Sequence, residues 1–166
     1  MSSADLDSNK LEFRPLREAD TDDLHSLLND ARVTRHMPLA EPVDRAWIEN
    51  WKESKSQQWP APEHGPWAVY LDGRFAGWSG VQPDGEDEDE LAIVLHVWAW
   101  NLGREIARQT LSRFRSFGHS KPIAVYFPTT RPIQLLTAKL NLKPVGEAAI
   151  GEHRFVKLHL TDRSLA

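Results

Sequence analysis

The segment that most constrains this chain runs from Glu90 to Phe117, ELAIVLHVWAWNLGREIARQTLSRFRSF. Leu91–Val97 is a near-continuous apolar run of strand length with β-branched residues, the pattern of a strand buried on both faces. Trp98 to Leu102 predicts a short turn, and after Gly103 the period changes. Ile106, Ala107, Thr110, Leu111, Phe114 and Phe117 recur at spacings of three and four, while Arg104, Glu105, Arg108, Gln109, Ser112, Arg113 and Arg115 take the other face. Gly118 stands where a left-handed helix terminator is expected. A buried strand that passes through a Gly-containing turn into a helix presents free N–H groups, and the positive end of the helix dipole, to whatever lies beyond the strand. A pyrophosphate is commonly held in that way. A plain connector is the other reading of the same pattern.

The 166 residues are most simply one domain, with 40% hydrophobic and 27% charged residues, ordinary values for a globular chain. No apolar run approaches the ~20 residues that span a bilayer, so no membrane partner is expected. MSSADLDSNK, polar and acidic, reads as a disordered leader over residues 1–10 rather than a secretory signal, with the domain occupying 11–166. The absence of cysteine excludes disulfides and thiolate chemistry and fits a cytoplasmic location. The net charge of −4 argues against nucleic-acid binding and suits a partner or substrate that carries positive charge.

Along the chain, Leu11–Leu16 alternates as a half-buried strand. Asp20 is placed to cap a helix bearing Leu24, Leu27, Leu28 and Ala31, with Asp23 in capping-box position. Val33–Pro42 reads as a loop, and Asp44 caps a second helix from Arg45 to about Gln57. Trp67–Leu71 and Phe75–Val81 form a hairpin about Asp72-Gly73, with Gly77 and Gly80 marking bulges or close backbone approach. The acidic QPDGEDEDE, Gln82–Glu90, reads as a solvated hairpin connection. Ile123–Phe127 is a further strand. Ile133, Leu136, Thr137 and Leu140 mark a short helix, and Lys143–Ala148 and Arg154–Leu160 are two closing strands. Adjacent strands in hairpins with single helical crossovers later predict a mixed α/β sheet.

This order, together with three stretches, resembles the GNAT (Gcn5-related) N-acetyltransferases, and most of all the branch that includes the ribosomal-protein N-terminal acetyltransferases. The opening LEFRPLREADTDDLHSLLND, followed by VTRHMP, is similar to that branch's first strand, helix and following loop. ELAIVLHVWAWNLGREIA resembles the family's strand–turn–helix without a gap, and PTTRPIQLLTAKLNLKPVGE resembles its second motif. The resemblance implies a single-domain, mostly antiparallel sheet of six to seven strands flanked by about four helices. It implies acetyl-CoA as co-substrate, no metal, a primary amine (a protein or peptide N-terminus, or a small amine) as acceptor, and room for a homodimer. The alternative is a GNAT-like binding or regulatory module with weak or no turnover.

By position, the resemblance assigns the acetyl-CoA site to Val94, Leu95, His96 and Val97 at the strand end, to Trp100, Asn101, Leu102, Gly103, Arg104 and Glu105 at the turn, and to Thr130. A backbone N–H of Val94 or Leu95 would polarise the thioester carbonyl. Glu105 stands where the family has Gly or Ala, so its carboxylate must point away or pair with Arg104 or Arg108. Amine acetylation needs a base, an oxyanion donor and ideally an acid for the thiolate. Glu90 is the candidate base, through water; His96 titrates in a suitable range. Tyr126 and Thr137 are the hydroxyl candidates for the acid, Thr137 standing where relatives carry Tyr. Trp47, Trp51 and Trp59 lie around the second helix, which walls the acceptor site in the family. The seven histidines are scattered, with no ligand pair at metal-binding spacing.

Overall fold

The computed structural model describes residues 10–35, 37, 42–129, 137 and 140–161. Seven strands form one sheet: β1 (Leu11–Pro15), β2 (Trp67–Leu71), β3 (Arg74–Asp84), β4 (Glu88–Leu95), β5 (Ile123–Pro128), β6 (Leu142–Ile150) and β7 (His153–Leu160), in the order β1-β2-β3-β4-β5-β7-β6. Every neighbouring pair is antiparallel except β4 and β5. The α-helices are α1 (Thr21–Leu28), α2 (Ala31–Thr34), α3 (Arg45–Ser56) and α4 (Gly103–Ser116). The mixed, mostly antiparallel sheet with about four helices is the expected architecture.

Local chemistry sets most boundaries. The carboxylates of Asp20, Asp30 and Asp44 accept from the amides of Asp22, Arg32 and Trp47, capping α1, α2 and α3. The second of these caps ends the first helix early: Ala31 belongs to α2, not to the stripe of α1, and Val33 is helical rather than loop. The β2–β3 turn places Asp72 and Gly73 at φ 49° and 81°, both left-handed, as a two-residue hairpin requires. The acidic stretch is corrected. Gln82–Asp84 extends β3 and Glu88–Glu90 opens β4, so only Gly85–Asp87 turns, and Asp89 is buried.

Two layers cover the sheet. On one face, Leu24, Leu27, Leu28 and Ile48 of α1 and α3 pack on Ala68, Tyr70, Phe75 and Trp78, with Ala92 and Val94 beside them. On the other, Ile106, Ala107, Leu111 and Phe114 of α4 cover Val69, Val81, Leu91, Leu95 and Ile123. Inside that layer Thr110 Oγ1 donates to the Ile106 carbonyl and so accepts from Ser79 Oγ at 2.6 Å, satisfying both hydroxyls.

Both strand glycines have the expected reasons. At Gly77 the β2–β3 register slips and φ is +148°, and a Cβ there would stand 2.1 Å from the Val94 carbonyl oxygen. At Gly80 a Cβ would meet Pro66 at 2.7 Å. Gly77→Ala is therefore expected to lower stability by roughly 2 kcal/mol or more, read as a lower urea midpoint.

Candidate active site

The sheet opens at its centre. β4 pairs with β5 only through Asp89 with Ile123 and Glu90 with Ala124, after which β4 stays with β3 as far as Leu95 and β5 stays with β7 as far as Pro128. The direction of the β4 amides follows from two bonds. Asp89 N–H donates to Pro122 O on the β5 side, and His96 N–H donates to Ala76 O on the β3 side. With an unbroken β3–β4 register, even-numbered amides face β3 and odd-numbered ones face β5. Beyond the last pair, the backbone groups of Ile93 and the N–H of Leu95 therefore face the opening. The Leu95 carbonyl is taken by Trp100 Nε1 at 3.0 Å.

At the mouth of this opening, Val97–Leu102 makes a 3₁₀ turn that runs directly into α4. Among the described residues no side chain caps α4, whereas an Asp caps each of the other three α-helices. Gly103 has φ −55° and ψ −41°, ordinary helical values, and a Cβ there would meet nothing nearer than Leu95 Cδ1 at 4.0 Å. Among the described residues neither conformation nor packing requires glycine there, and the missing side chain leaves room for close approach from outside. Glu105 turns back along the helix, with Arg108 Nη2 at 2.5 Å and Gln109 Nε2 at 2.9 Å. The Arg108 hydrogen bond, then that of Gln109, brings its carboxyl down to about 2. The uncapped first turn of α4 thus remains a place for an anion.

The face of the opening toward α3 carries a polar cluster. Glu90, at the vertex, accepts from Gln82 Nε2 at 2.7 Å, and Gln82 Oε1 accepts from Lys55 Nζ of α3. Burial raises the Glu90 carboxyl above its ordinary range, the Gln82 bond opposing it and Asp84 adding to it. Tyr126 Oη donates to Asp84 Oδ2 at 2.6 Å, and burial, then that bond, pushes its pKa to about 12. Lys157 Nζ reaches Glu88 Oε1 at 2.5 Å, and His159 Nε2 contacts the other Glu88 oxygen.

The sequence matches the model of the acetyltransferase (GNAT) domain over residues 10–143. The chain belongs to the GNAT acetyltransferase family. Its fold is similar to a GNAT-family acetyltransferase from Bacillus anthracis, at TM-score 0.70 and 16% identity over 92% of this chain and 96% of that one. It is also similar to a proposed acetyltransferase from Salmonella typhimurium, solved with its cofactor acetyl-CoA, at TM-score 0.63 and 15% identity over 95% and 94%. At these identities the likeness is one of fold. No curated protein matches the sequence.

Within this GNAT domain the expected site residues divide. Glu90, Leu95 and the turn from Trp100 to Glu105 border one opening. Val94 does not offer its N–H there, because the alternation commits that amide to β3; the gap-facing amide nearest Glu90 past the last pair is that of Ile93. His96 lies about 20 Å along the chain from Glu90, too far to act on the same atom. Its backbone N–H is spent on Ala76, its ring stands edge-on to Phe75, and burial lowers its pKa. Val97 opens the 3₁₀ turn. The Tyr126 proton is committed to Asp84, and Thr137 is half-buried in helical geometry. Thr130 and Ile133 lie outside the described residues. Trp47 stacks on Trp51, which meets Trp78 edge-on. Trp59 instead joins the α4 layer, donating to the Val81 carbonyl and packing on Phe114. Among the described residues no group of three or more His, Cys, Asp or Glu could hold a metal, and no helix is long and apolar enough to cross a membrane.

Lys55 and Gln82 were not foreseen. The period-two placement of Gln82, Asp84, Glu88 and Glu90 was the available signal, and it appears only once the acidic stretch is read as two strands. Because Gly103 serves neither turn nor core, Gly103→Ala should leave the thermal midpoint unchanged or raise stability by up to about 1 kcal/mol.

Proposed function

We propose that this GNAT domain transfers the acetyl group of acetyl-CoA to a primary amine, with Glu90 as the base that accepts the amine proton. The observation that carries the reading is the position of Glu90. A half-buried carboxylate, held above its ordinary pKa, stands at the vertex where β4 and β5 part. The site fits such a donor: the uncapped α4 turn and the bare Gly103 suit its pyrophosphate, and the gap-facing backbone groups of Ile93 and the N–H of Leu95 suit its amide-bearing arm. When bound, acetyl-CoA supplies an acyl group on a thiolate leaving group.

The residues then divide the work. Glu90, directly or through a water, takes one proton from the acceptor ammonium; the freed amine bonds to the acyl carbon, the carbon–sulfur bond breaks, and the nitrogen gives its second proton to solvent. The Ile93 N–H, between Glu90 and the mouth of the opening, is the donor for the developing oxyanion. A phenol at about 12 is a poor match for a thiolate, so Tyr126 holds Asp84 in place and solvent returns the proton to sulfur. Trp47, Trp51 and Trp78 wall the acceptor side, with the carboxylates of Glu90 and Asp84 nearby. That wall and the sequence resemblance favour a peptide or protein N-terminus of the ribosomal-protein type over a small polar amine. A weakly active binding module is the second reading, favoured by the commitment of Tyr126 to Asp84.

Thiol release over a panel of amines and peptide N-termini, with calorimetry for acetyl-CoA, tests both. Binding with turnover is expected; binding without turnover on any member selects the second reading, and no binding at high micromolar acetyl-CoA removes both. Glu90→Gln should cut kcat by about 10²- to 10⁴-fold while leaving acetyl-CoA affinity in place. Since the base must be ionised, kcat/KM should rise with pH through an acid limb set above the ordinary carboxylate range, and that limb should vanish in the variant. Gly103→Ala should weaken acetyl-CoA about tenfold or more, a loss of roughly 1.4 kcal/mol, without unfolding the chain.

A further inference from the structure

Glu90 and Lys55 are opposite charges, both drawn from water, yet they do not touch. Among the described residues neither forms an ion pair within 4.0 Å. Between them stands one neutral amide. Lys55 Nζ donates to Gln82 Oε1 at 2.5 Å, and Gln82 Nε2 donates to Glu90 Oε2 at 2.7 Å. The order is forced, because a reversed amide would set donor against ammonium and oxygen against carboxylate. The chain crosses three elements, from α3 through β3 to β4, and its middle link is fixed by the Gln82–Glu90 register. It engages one Glu90 oxygen and leaves the other without a partner among the described residues.

We propose that Lys55, acting through Gln82, is a positioning residue that keeps Glu90 ionised and turns its second oxygen toward the acceptor amine. The inference rests on the reading of Glu90 as the base. A direct Lys–Glu contact would hold the carboxylate far down and spend its basicity, whereas without the cation only the Gln82 bond would oppose burial. The interposed amide sets a value between these. The groups that face Glu90 are Lys55 from α3, Gln82 and Asp84 from β3, Glu88 from its own strand and Tyr126 from β5. Lys157 of β7 stands beyond, held by Glu88 and 3.8 Å from Asp84. Of the two lysines, only Lys55 lacks a carboxylate of its own. Its ammonium is destabilised by burial and favoured chiefly by Glu90, so the dependence runs both ways.

The test is a carbon-13 carboxylate titration of Glu90 in the full chain, assigned by Glu90→Gln and needing neither acceptor nor acetyl-CoA. Lys55→Met should move the Glu90 midpoint to higher pH, a fall of about threefold or more in its ionisation constant, and Lys55→Arg should restore most of it. In a Gln82→Leu background the Lys55→Met step should shrink. A Lys55→Met protein that keeps the wild-type thermal midpoint and an unmoved Glu90 midpoint overturns the proposal. If that variant does not fold, Gln82→Leu alone carries the test, with an unmoved midpoint again decisive against it. The two claims separate: a Glu90→Gln enzyme with intact turnover removes the base, whereas the coupling is read on the carboxylate itself.

Discussion

Two parallel backbone pairings, Asp89 with Ile123 and Glu90 with Ala124, are among the described residues the only ladder contacts that join the two halves of the sheet. β1 to β4 form one antiparallel unit and β5, β7 and β6 another. A parallel pair cannot be closed by a tight turn, so the crossover through the 3₁₀ turn and α4 must carry the chain from the end of β4 to the start of β5. That crossover places the N-terminus of α4, which has no side-chain cap among the described residues, at the open end of the strands. The opening and the helix end at its mouth thus follow from a single topological choice, which also puts position 90 at the vertex. Apolar burial under α4, with Leu91, Ile123 and Val125, and polar contacts on the other face, Tyr126 with Asp84 and Lys157 with Glu88, keep the halves together where the ladder does not.

The same geometry sorts backbone groups into those spent on structure and those left for chemistry. Alternation along β4 commits the even amides to β3 and turns the odd ones to the opening. Side chains follow the matching rule, so Glu90 shares a face with Gln82 and Asp84 while Asp89 goes beneath α4. A carboxylate at that vertex is costly to ionise unless something opposes its burial. The Gln82 bond does so directly, and Lys55 at one remove.

Much of this was legible in the sequence because local signals and tertiary demands agree. The Asp20 and Asp44 caps, the Asp72-Gly73 turn and the two glycines of β3 follow from local chemistry, and the segment from Leu91 to Phe117 folds as strand, turn and helix in the expected order. What was not legible depended on contacts distant in sequence. QPDGEDEDE is polar enough to read as solvent-exposed, and only a hairpin partner makes its alternate residues a sheet face. Val94 and Ile93 look equivalent until the ladder direction is known. Glu105 was the exception: it was expected to point away or pair with Arg104 or Arg108, and the i,i+3 arginine holds it along the helix. Lys55 carries no motif, and its role arises from where α3 lies on the sheet.

The central claim is that the opening between β4 and β5 is where acetyl-CoA binds. Residue-resolved amide hydrogen exchange, with and without acetyl-CoA, tests it most directly. The account predicts added protection at Ile93 and Leu95 and at Arg104 and Glu105 in the first turn of α4, with Ala92 and Val94, already bonded to β3, unchanged. Saturating acetyl-CoA that leaves those four amides as they were, or protects only residues elsewhere, would contradict it.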